Sequence, residues 1–272
     1  MSRQKILLIN DMAGYGKVAT AAMLPVLSYM GHPTFNLPTA LVSNTLDYGK
    51  FEILDTTDYI AATLPVWKEL GFSFDAISTG FIASGRQARL VAAYCKDQAQ
   101  RGTLIFVDPI MADAGKLYNG MGPSTITSMK EMLSVADLAF PNYTEACYLT
   151  STPYCKEGVS SDKAMWLIDE LRKEGSKSVL ITSITVDGQT SVAGYSHKDD
   201  EHFLLPYDEI PVSFPGTGDI FSAVCIGNLL NGDPLKSSAR KAMDAVYRLI
   251  DRNKDTTDRN RGIAIERCLN LI

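Results

Sequence analysis

Short apolar runs alternate with segments of helical period along most of the chain. Lys5-Ile-Leu-Leu-Ile9 predicts a buried strand, and residues 18–30 repeat apolar positions at helical spacing. A second strand begins at Thr34, after the break at Gly31-His32-Pro33. The same exchange predicts helices over residues 57–70, 84–101 and 162–173 and strands over 76–79, 103–107 and 178–182. Regular exchange of this kind predicts an α/β fold with a doubly wound, mostly parallel central sheet covered by helices on both faces.

Two segments depart from this alternation. Residues 189–195 and 202–205 predict an antiparallel pair of strands at the edge of the sheet. Residues 40–50 form a polar segment between an early strand and the next helix, where we expect a small lid. The chain has no internal repeat, low-complexity tract or Gly/Ser-rich linker, so we expect a single domain over residues 1–272.

Composition narrows the classes of function. A chain of 272 residues that is 46% hydrophobic can bury a sizeable core, and its net charge of −5 lacks the basic footprint of a nucleic-acid binder. Met1-Ser2-Arg3 leads directly into a strand, and no apolar stretch is long enough for a bilayer, so we expect a cytoplasmic protein without membrane contact. Five scattered cysteines without a C-x-x-C pair predict neither a disulfide framework nor a zinc site.

The strongest chemical signal is a glycine-rich turn, Gly216-Thr217-Gly218-Asp219, that precedes an apolar helix. Glycines allow close approach of the backbone, and the first helical turn offers free amide hydrogens and the positive dipole end to an anion. Asp219 ends this glycine-rich turn, at a position from which its carboxylate could take a proton from a nucleophile that lies beside a phosphate. Phosphoryl transfer requires such an arrangement. The structural alternative is an aspartate that caps the helix.

Polar residues follow four of the predicted strands. The pairs are Asn10-Asp11, Thr79-Gly80, Asp108-Pro109 and Thr182-Ser183. Such residues often only start turns. The carboxyl ends of parallel strands, however, meet at the edge of the sheet where doubly wound folds bind ligands. We therefore expect small-molecule substrates to bind at this edge.

In their order and spacing, these motifs resemble the ribokinase-like kinases, and within them the pyridoxal, pyridoxine and pyridoxamine kinases. The resemblance covers nearly the whole chain, although each motif is short. The motifs that carry it are Gly16-Lys17-Val18, Leu41-Val-Ser-Asn44, Thr79-Gly80-Phe81, Val107-Asp108-Pro109-Ile-Met-Ala-Asp113, Ala136-Asp137-Leu-Ala-Phe-Pro141-Asn142-Tyr-Thr-Glu145, Val179-Leu-Ile-Thr182-Ser183 and Gly216-Thr217-Gly218-Asp219.

The resemblance implies an ATP-dependent kinase that phosphorylates the 5′-hydroxymethyl group of a vitamin B6 vitamer. It makes Asp219 the general base and the backbone of Gly216, Thr217 and Gly218 an anion hole. It further implies a Mg²⁺ ion near Asp108 and Glu145, in some relatives a monovalent cation such as K⁺, and a homodimer. The expected nucleotide and metal contacts are Asp108, Asn142, Glu145, Thr182, Ser183, Tyr118 and Phe214.

Four of these contacts have plain structural alternatives. Asn142 and Glu145 have the spacing of a helix-start capping pattern, although hard oxygen donors one turn apart also suit Mg²⁺. Tyr118 is an ordinary tyrosine of the loop Gly115–Gly120 in the alternative interpretation. Phe214 is then an apolar staple at the entry of the helix.

The chain departs from the family on the acceptor side. Asn10-Asp11 replaces a Gln-Ser pair, Phe81 replaces a tyrosine, and the lid reads Ser43-Asn44-Thr45-Leu46 where many relatives have Asn-His-Thr. We expect Asp11 to accept a hydrogen bond from the ring or to contact an aminomethyl group, which favours pyridoxamine. Stabilising the following loop is its alternative role. The other expected substrate contacts are Val18, Ser43 and Phe81, of which Val18 and Phe81 are equally compatible with core packing.

Other functions stay open. A hydroxymethylpyrimidine kinase of thiamine synthesis shares the fold, the glycine-rich turn and a hydroxymethyl acceptor on a flat ring. A sugar kinase of the same superfamily fits less well, because the N-terminal segment lacks a Gly-Gly-rich, hydroxyl-binding opening. A non-catalytic B6 carrier is opposed by the presence of Asp219, Asn142 and Glu145.

Overall fold

The computed structural model describes residues 4–118 and 121–272. The expectation for Met1-Ser2-Arg3 and the Asn119-Gly120 part of the predicted loop therefore lie outside the described residues. The strands are β1 (Ile6–Ile9), β2 (Met12–Tyr15), β3 (Thr34–Asn36), β4 (Ala40–Asn44), β5 (Ile53–Asp55), β6 (Ala76–Thr79), β7 (Leu104–Val107), β8 (Ala112–Asp113), β9 (Lys116–Leu117), β10 (Leu138–Ala139), β11 (Ser178–Val186), β12 (Gln189–Ser196) and β13 (Glu201–Pro206). The helices are α1 (Ala19–Tyr29), α2 (Thr57–Glu69), α3 (Gly85–Ala99), α4 (Pro123–Leu133), α5 (Tyr143–Leu149), α6 (Ser161–Lys173), α7 (Thr217–Leu230) and α8 (Leu235–Asn253).

The fold is α/β with a mostly parallel central sheet, which confirms the predicted fold class. The chain forms two compact units: a first unit of residues up to Ser78 together with Glu209–Ile272, and a second unit of Thr79–Asp208. The single domain expected over residues 1–272 stays a prediction. Within residues 4–118 and 121–272, no helix has the length and apolar character needed to cross a bilayer.

In the first unit, β1 lies between β6 and β3 and runs parallel to β3, with Ile6 opposite Thr34. All four residues of β1 are buried, as expected for a parallel strand covered on both faces. Helix α7 packs against α1 and α8. Helix α7 is apolar on nearly every side, so it is stable only when several of its sides are buried. This packing fixes its polar first turn in place.

The first unit also contains a small sheet of β2, β4 and β5. Strand β4 pairs in parallel with β2 and antiparallel with β5. The expected lid at residues 40–50 is thus a strand followed by a single helical turn, Leu46–Tyr48, and part of the loop expected after β1 is the strand β2. Ala40 and Val42 are buried while Leu41 and Ser43 are exposed, so β4 shows the alternation of a half-buried strand.

In the second unit, β7, β10 and β11 are parallel, while β12 and β13 add the predicted antiparallel pair at the edge. The end predicted for the strand at Thr182 is wrong, because β11 continues to Val186. Its register shifts between Ile181 and Ile184, and Ser183 adopts a φ of 53°. A bulge absorbs the extra residue without ending the ladder, so Thr182 and Ser183 lie inside the strand and not after it.

Burial of α8 provides a stability test. Leu249 is 0% exposed, so Leu249→Ala leaves a cavity and should lower the free energy of unfolding by about 2–5 kcal/mol. Leu70→Ala is the matched control, because Leu70 is 60% exposed and its loss should cost less than about 1 kcal/mol. Denaturant unfolding of both variants measures the difference. Equal losses would show that α8 does not pack as described.

Candidate active site

Asp219 lies in the first turn of α7, where its carboxylate accepts a hydrogen bond from the backbone amide of Ala19 at 2.8 Å. The side chain of Asn10 donates a second hydrogen bond to it. Burial raises the pKa of Asp219 to about 6, and these two donors act in the opposite direction. The carboxylate is therefore ionised at neutral pH but is close enough to its pKa to accept a proton.

The turn before α7 needs glycine at one position for a reason internal to the protein. Gly216 has a φ of 86°, and a Cβ there would lie 2.1 Å from the backbone oxygen of Lys17. At Gly218, by contrast, a Cβ would meet nothing within 4 Å. Thr217 uses its hydroxyl to donate to the Phe214 carbonyl at 3.2 Å. Gly216 thus fixes the backbone at the first helical turn, and the space beside Gly218 is open. The amide hydrogens of this turn can face an anion there.

Asp11 follows β1 and is half-buried. Its own backbone amide donates to Asn10 Oδ1 at 2.9 Å, and its carbonyl accepts from Thr20 at 3.2 Å. Burial, and then the negative charge of Asp219, raises the pKa of Asp11 to about 7. The first unit therefore brings Asp11 and Asp219 together, and the two carboxyl groups differ in how readily they hold a proton.

The other expected substrate contacts of the first unit lie on neighbouring elements. Val18 is the half-buried residue before α1, without a side-chain cap hydrogen bond. Ser43 is exposed on β4, where its hydroxyl donates to Asn44 Oδ1 at 2.7 Å and accepts from the Glu52 amide at 2.9 Å. Ser43 also lines a surface cavity of about 360 Å³ together with Tyr15, Asn44, Tyr48 and Lys50.

In the second unit, Asn142 and Glu145 form the capping box that their spacing predicts. Asn142 Oδ1 accepts from the Glu145 amide at 2.9 Å, and Glu145 Oε2 accepts from the Asn142 amide at 2.9 Å. The buried Glu145 does more than cap, because its Oε1 also accepts from the Met111 amide at 3.0 Å. Asn142 Nδ2 donates to the Ala112 carbonyl at 2.8 Å. The pair thus fixes the segment that follows β7.

Asp108 is the half-buried first residue of that segment, and its amide donates to the Thr79 carbonyl at 2.9 Å. The hydroxyl of Thr79 is buried without a hydrogen-bond partner among the described residues. Thr182 is joined to Asn142 through a parallel bridge, and its amide donates to the Pro141 carbonyl at 3.0 Å. Ser183 is exposed beside it. The second unit therefore groups Asp108, Asn142, Glu145 and Thr182 around adjoining strand ends and the bulge.

The aromatic candidates differ in how much surface they offer. Tyr118 is 40% exposed after a hairpin of β8 and β9, and its amide donates to the Met111 carbonyl at 3.0 Å. Phe214 is only 2% exposed, which favours its role as a staple at the entry of α7 over contact with a ligand. Phe81 is half-buried just after β6.

The second unit has donors that fit Mg²⁺. Burial, followed by the neighbouring Asp108 carboxylate, raises the pKa of Glu145 well above its usual range. Two carboxylates that repel one another are stabilised by a cation between or beside them. No cluster of three or more His, Cys, Asp or Glu side chains exists in the part of the chain that the structure describes. A pair of carboxylates still suits Mg²⁺, which keeps several waters and uses one or two carboxylates with substrate phosphates.

Three contacts in these sites were not predicted from the sequence, although Asn10 itself was among the polar residues expected at the strand ends. The Ala19 amide and the Asn10 side chain both bind Asp219, and the Thr144 hydroxyl accepts from the Gly115 amide at 3.0 Å. Asn10 carried a signal, since it is a polar residue directly after an apolar strand. A backbone amide such as that of Ala19 carries none, because every residue but proline has one.

Comparisons with known proteins show the family of the chain. A family model described as phosphomethylpyrimidine kinase matches residues 24–263. A protein of Bacteroides thetaiotaomicron, provisionally described as a phosphomethylpyrimidine kinase, is 35% identical, and its crystal structure contains pyridoxal. That match has a TM-score of 0.92 and covers 99% of this chain and 96% of that one.

Two named vitamin B6 kinases are also similar. The pyridoxal kinase of Lactobacillus plantarum is 26% identical, with a TM-score of 0.88 over 99% of this chain and 96% of that one. The pyridoxine/pyridoxal/pyridoxamine kinase of Bordetella pertussis is 25% identical over 91% of this chain and 88% of its own length. The chain therefore belongs to the kinase family described as phosphomethylpyrimidine kinase, which it shares with pyridoxal kinases of the ribokinase-like superfamily.

Proposed function

We propose that this chain is an ATP-dependent kinase that transfers the terminal phosphoryl group of ATP to the 5′-hydroxymethyl group of a vitamin B6 vitamer. The observation that carries the proposal is the Asp219 carboxylate at the start of α7. The Ala19 amide holds this carboxylate, and burial raises its pKa to about 6. The similar kinases act on, or are named for, this class of alcohol, and one similar protein was crystallised with pyridoxal.

In the proposed reaction, Asp219 takes the proton from the hydroxymethyl oxygen as that oxygen attacks the terminal phosphorus of ATP. The new oxygen–phosphorus bond forms as the bond to the leaving ADP oxygen breaks. The amides of Gly216, Thr217 and Gly218 stabilise the charge on the transferred group, because donors fixed in advance need no reorganisation. Asp11, Val18, Ser43 and Phe81 contact the vitamer in this proposal.

The second unit supplies the nucleotide and metal contacts in the proposal. Asp108 and Glu145 would hold Mg²⁺ through oxygen and water, and Asn142, Thr182, Ser183 and Tyr118 would contact ATP. Phe214, which the resemblance places among the nucleotide contacts, lies in the first unit and is buried, so we keep it as the staple of α7. Bound Mg²⁺ would neutralise phosphate charge. Glu145 keeps free lone pairs for this, since its three backbone donors do not exhaust two carboxylate oxygens. A monovalent cation such as K⁺ and a homodimer stay expectations from the resemblance, and a cytoplasmic location stays an expectation from the sequence.

A hydroxymethylpyrimidine kinase is the second candidate, and the description of the matching family model favours it. Both acceptors are flat rings that carry a hydroxymethyl group, and Asp11 could bind an aminopyrimidine as readily as a pyridine. A carrier that binds a B6 vitamer without turnover is the third candidate. These three functions differ in which alcohol, if any, the protein phosphorylates with release of ADP from Mg-ATP.

Replacing the proposed base is the direct test of mechanism. Asp219→Asn keeps the shape of the side chain but cannot take the proton, so turnover should fall by about 10²–10⁴-fold while nucleotide affinity changes little. ADP release and calorimetric nucleotide binding measure the two effects. Asp233→Asn is the matched control in the turn after α7, where the Asp233 carboxylate forms an ion pair with Lys241. Unchanged turnover in Asp219→Asn would falsify the assignment.

The pH dependence follows from the pKa of Asp219. Because burial raises that pKa to about 6, the base is protonated below pH 6 and ionised above it, so turnover should rise with pH and level off above a midpoint near 6. Below the midpoint, turnover should fall about tenfold for each pH unit. The pH profile of kcat/KM reports the free enzyme, so it should be measured from pH 5 to 8 with pyridoxine and with pyridoxamine. A midpoint that both substrates share belongs to the protein. A midpoint below pH 5 contradicts the prediction.

A substrate panel decides between the candidate functions. We expect wild-type protein with Mg-ATP and K⁺ to release ADP with pyridoxal, pyridoxine or pyridoxamine at higher kcat/KM than with hydroxymethylpyrimidine. A charge-assisted contact is worth about 1.5–3 kcal/mol, so Asp11→Ser should lower the preference for pyridoxamine over pyridoxal by at least about tenfold. An unchanged preference rejects the Asp11 contact. If the protein releases ADP with hydroxymethylpyrimidine but with none of the three vitamers, or if it releases ADP only without an alcohol, the B6 kinase function is rejected.

A further inference from the structure

The loop before α1 is clamped by a segment from the far end of the chain. We call residues 258–266 the C-terminal strap. The Lys17 amide donates to the Arg261 carbonyl at 2.8 Å, and the Lys17 ammonium forms an ion pair with Glu266. A Cβ at Gly262 would lie 2.9 Å from the Lys17 oxygen and 3.1 Å from the Pro215 oxygen. The strap therefore touches the loop before α1 and the turn before α7 at once.

The same strap holds the small sheet of the first unit. Thr45 donates its hydroxyl to the Asn260 carbonyl at 2.6 Å, and Tyr48 donates to Asp258 at 2.7 Å. Ile263 and Ile265 are both 0% exposed, so the strap is anchored in the core rather than lying loosely on the surface. None of these residues belongs to a sequence motif that carried the family resemblance.

The clamped loop ends at the donor of the Asp219 hydrogen bond. Ala19 has a φ of 50°, a left-handed conformation that costs free energy for a residue with a Cβ and persists only when its surroundings impose it. Lys17 lies two residues before Ala19, and its carbonyl is enclosed between Gly216 and Gly262. Fixing Lys17 therefore fixes the direction in which the Ala19 amide points.

We propose that the C-terminal strap is a positioning element for phosphoryl transfer, in which Gly262, Lys17 and Glu266 hold the Ala19 amide on the Asp219 carboxylate. This inference rests on the proposed kinase function. The groups that face Asp219 are the Ala19 amide, the Asn10 side chain and the Asp11 carboxyl group, and only the first of these is set by the strap. Loss of that amide removes a donor that stabilises the ionised base.

Gly262→Ala tests the steric part of the clamp. Its new Cβ presses on the Lys17 and Pro215 carbonyls, so kcat should fall at least about tenfold while KM for ATP changes less than about threefold. The acidic limb of the kcat/KM profile should move upward by about one pH unit. Gly71→Ala is the control: Gly71 also has a positive φ, of 71°, but a Cβ there meets nothing within 4 Å.

Hydrogen exchange gives a readout that does not depend on turnover. The Ala19 amide should be protected in the wild type and in Gly71→Ala, and should exchange at least about tenfold faster in Gly262→Ala. If Gly262→Ala keeps wild-type kcat, acidic limb and Ala19 protection, the inference is wrong. Absence of ADP release from wild-type protein would instead reject the kinase function itself.

A charge exchange tests the clamp without steric change. The side chains of Lys17 and Glu266 are 31% and 57% exposed, so their replacement leaves the core intact. Glu266→Lys places like charges together and should lower kcat about threefold, in the range of a partly exposed pair. The double variant Lys17→Glu with Glu266→Lys restores the attraction and should recover kcat to within about twofold. A single variant with wild-type kcat, or a double variant without recovery, overturns the role of the ion pair.

Discussion

The hydrogen bond from the Ala19 amide to the Asp219 carboxylate is the interaction on which the proposed chemistry of the first unit depends. It joins residues 200 positions apart in sequence. A hydrogen bond to a charged group contributes about 1.5–3 kcal/mol, whereas a strained backbone conformation such as that of Ala19 costs about 1–3 kcal/mol. Because the two terms nearly offset each other, the bond needs further support. The enclosed carbonyl of Lys17 provides it.

Two opposing effects set the charge of Asp219. Burial favours the protonated carboxyl group, while the amide of Ala19 and the side chain of Asn10 favour the carboxylate. The outcome, a pKa of about 6, leaves Asp219 ionised at neutral pH, whereas the pKa of Asp11 is raised to about 7. Asp11 is thus available as donor or acceptor beside the ionised Asp219 carboxylate.

The second unit uses backbone amides in a similar way. Glu145 accepts from Met111, Ala112 and Asn142, so one buried carboxylate organises both the start of α5 and the segment after β7. The capping and metal interpretations of this residue are compatible, since a carboxylate has about four lone-pair sites. Because the backbone fixes the Glu145 carboxylate, its free lone pairs keep a constant position relative to Asp108.

The sequence by itself determined the features that depend on neighbouring residues. Apolar runs and helical periods placed β1, α1, α3, α6 and the β12–β13 pair, and the order of short motifs identified the family. Only the tertiary structure decided that Gly216 faces the Lys17 carbonyl, that Ala19 is left-handed, that β2 and β4 form a sheet, and that Ser183 sits in a bulge. The reason is physical: periodicity reports which face of an element is buried, whereas a contact between distant residues depends on which backbone groups packing brings together.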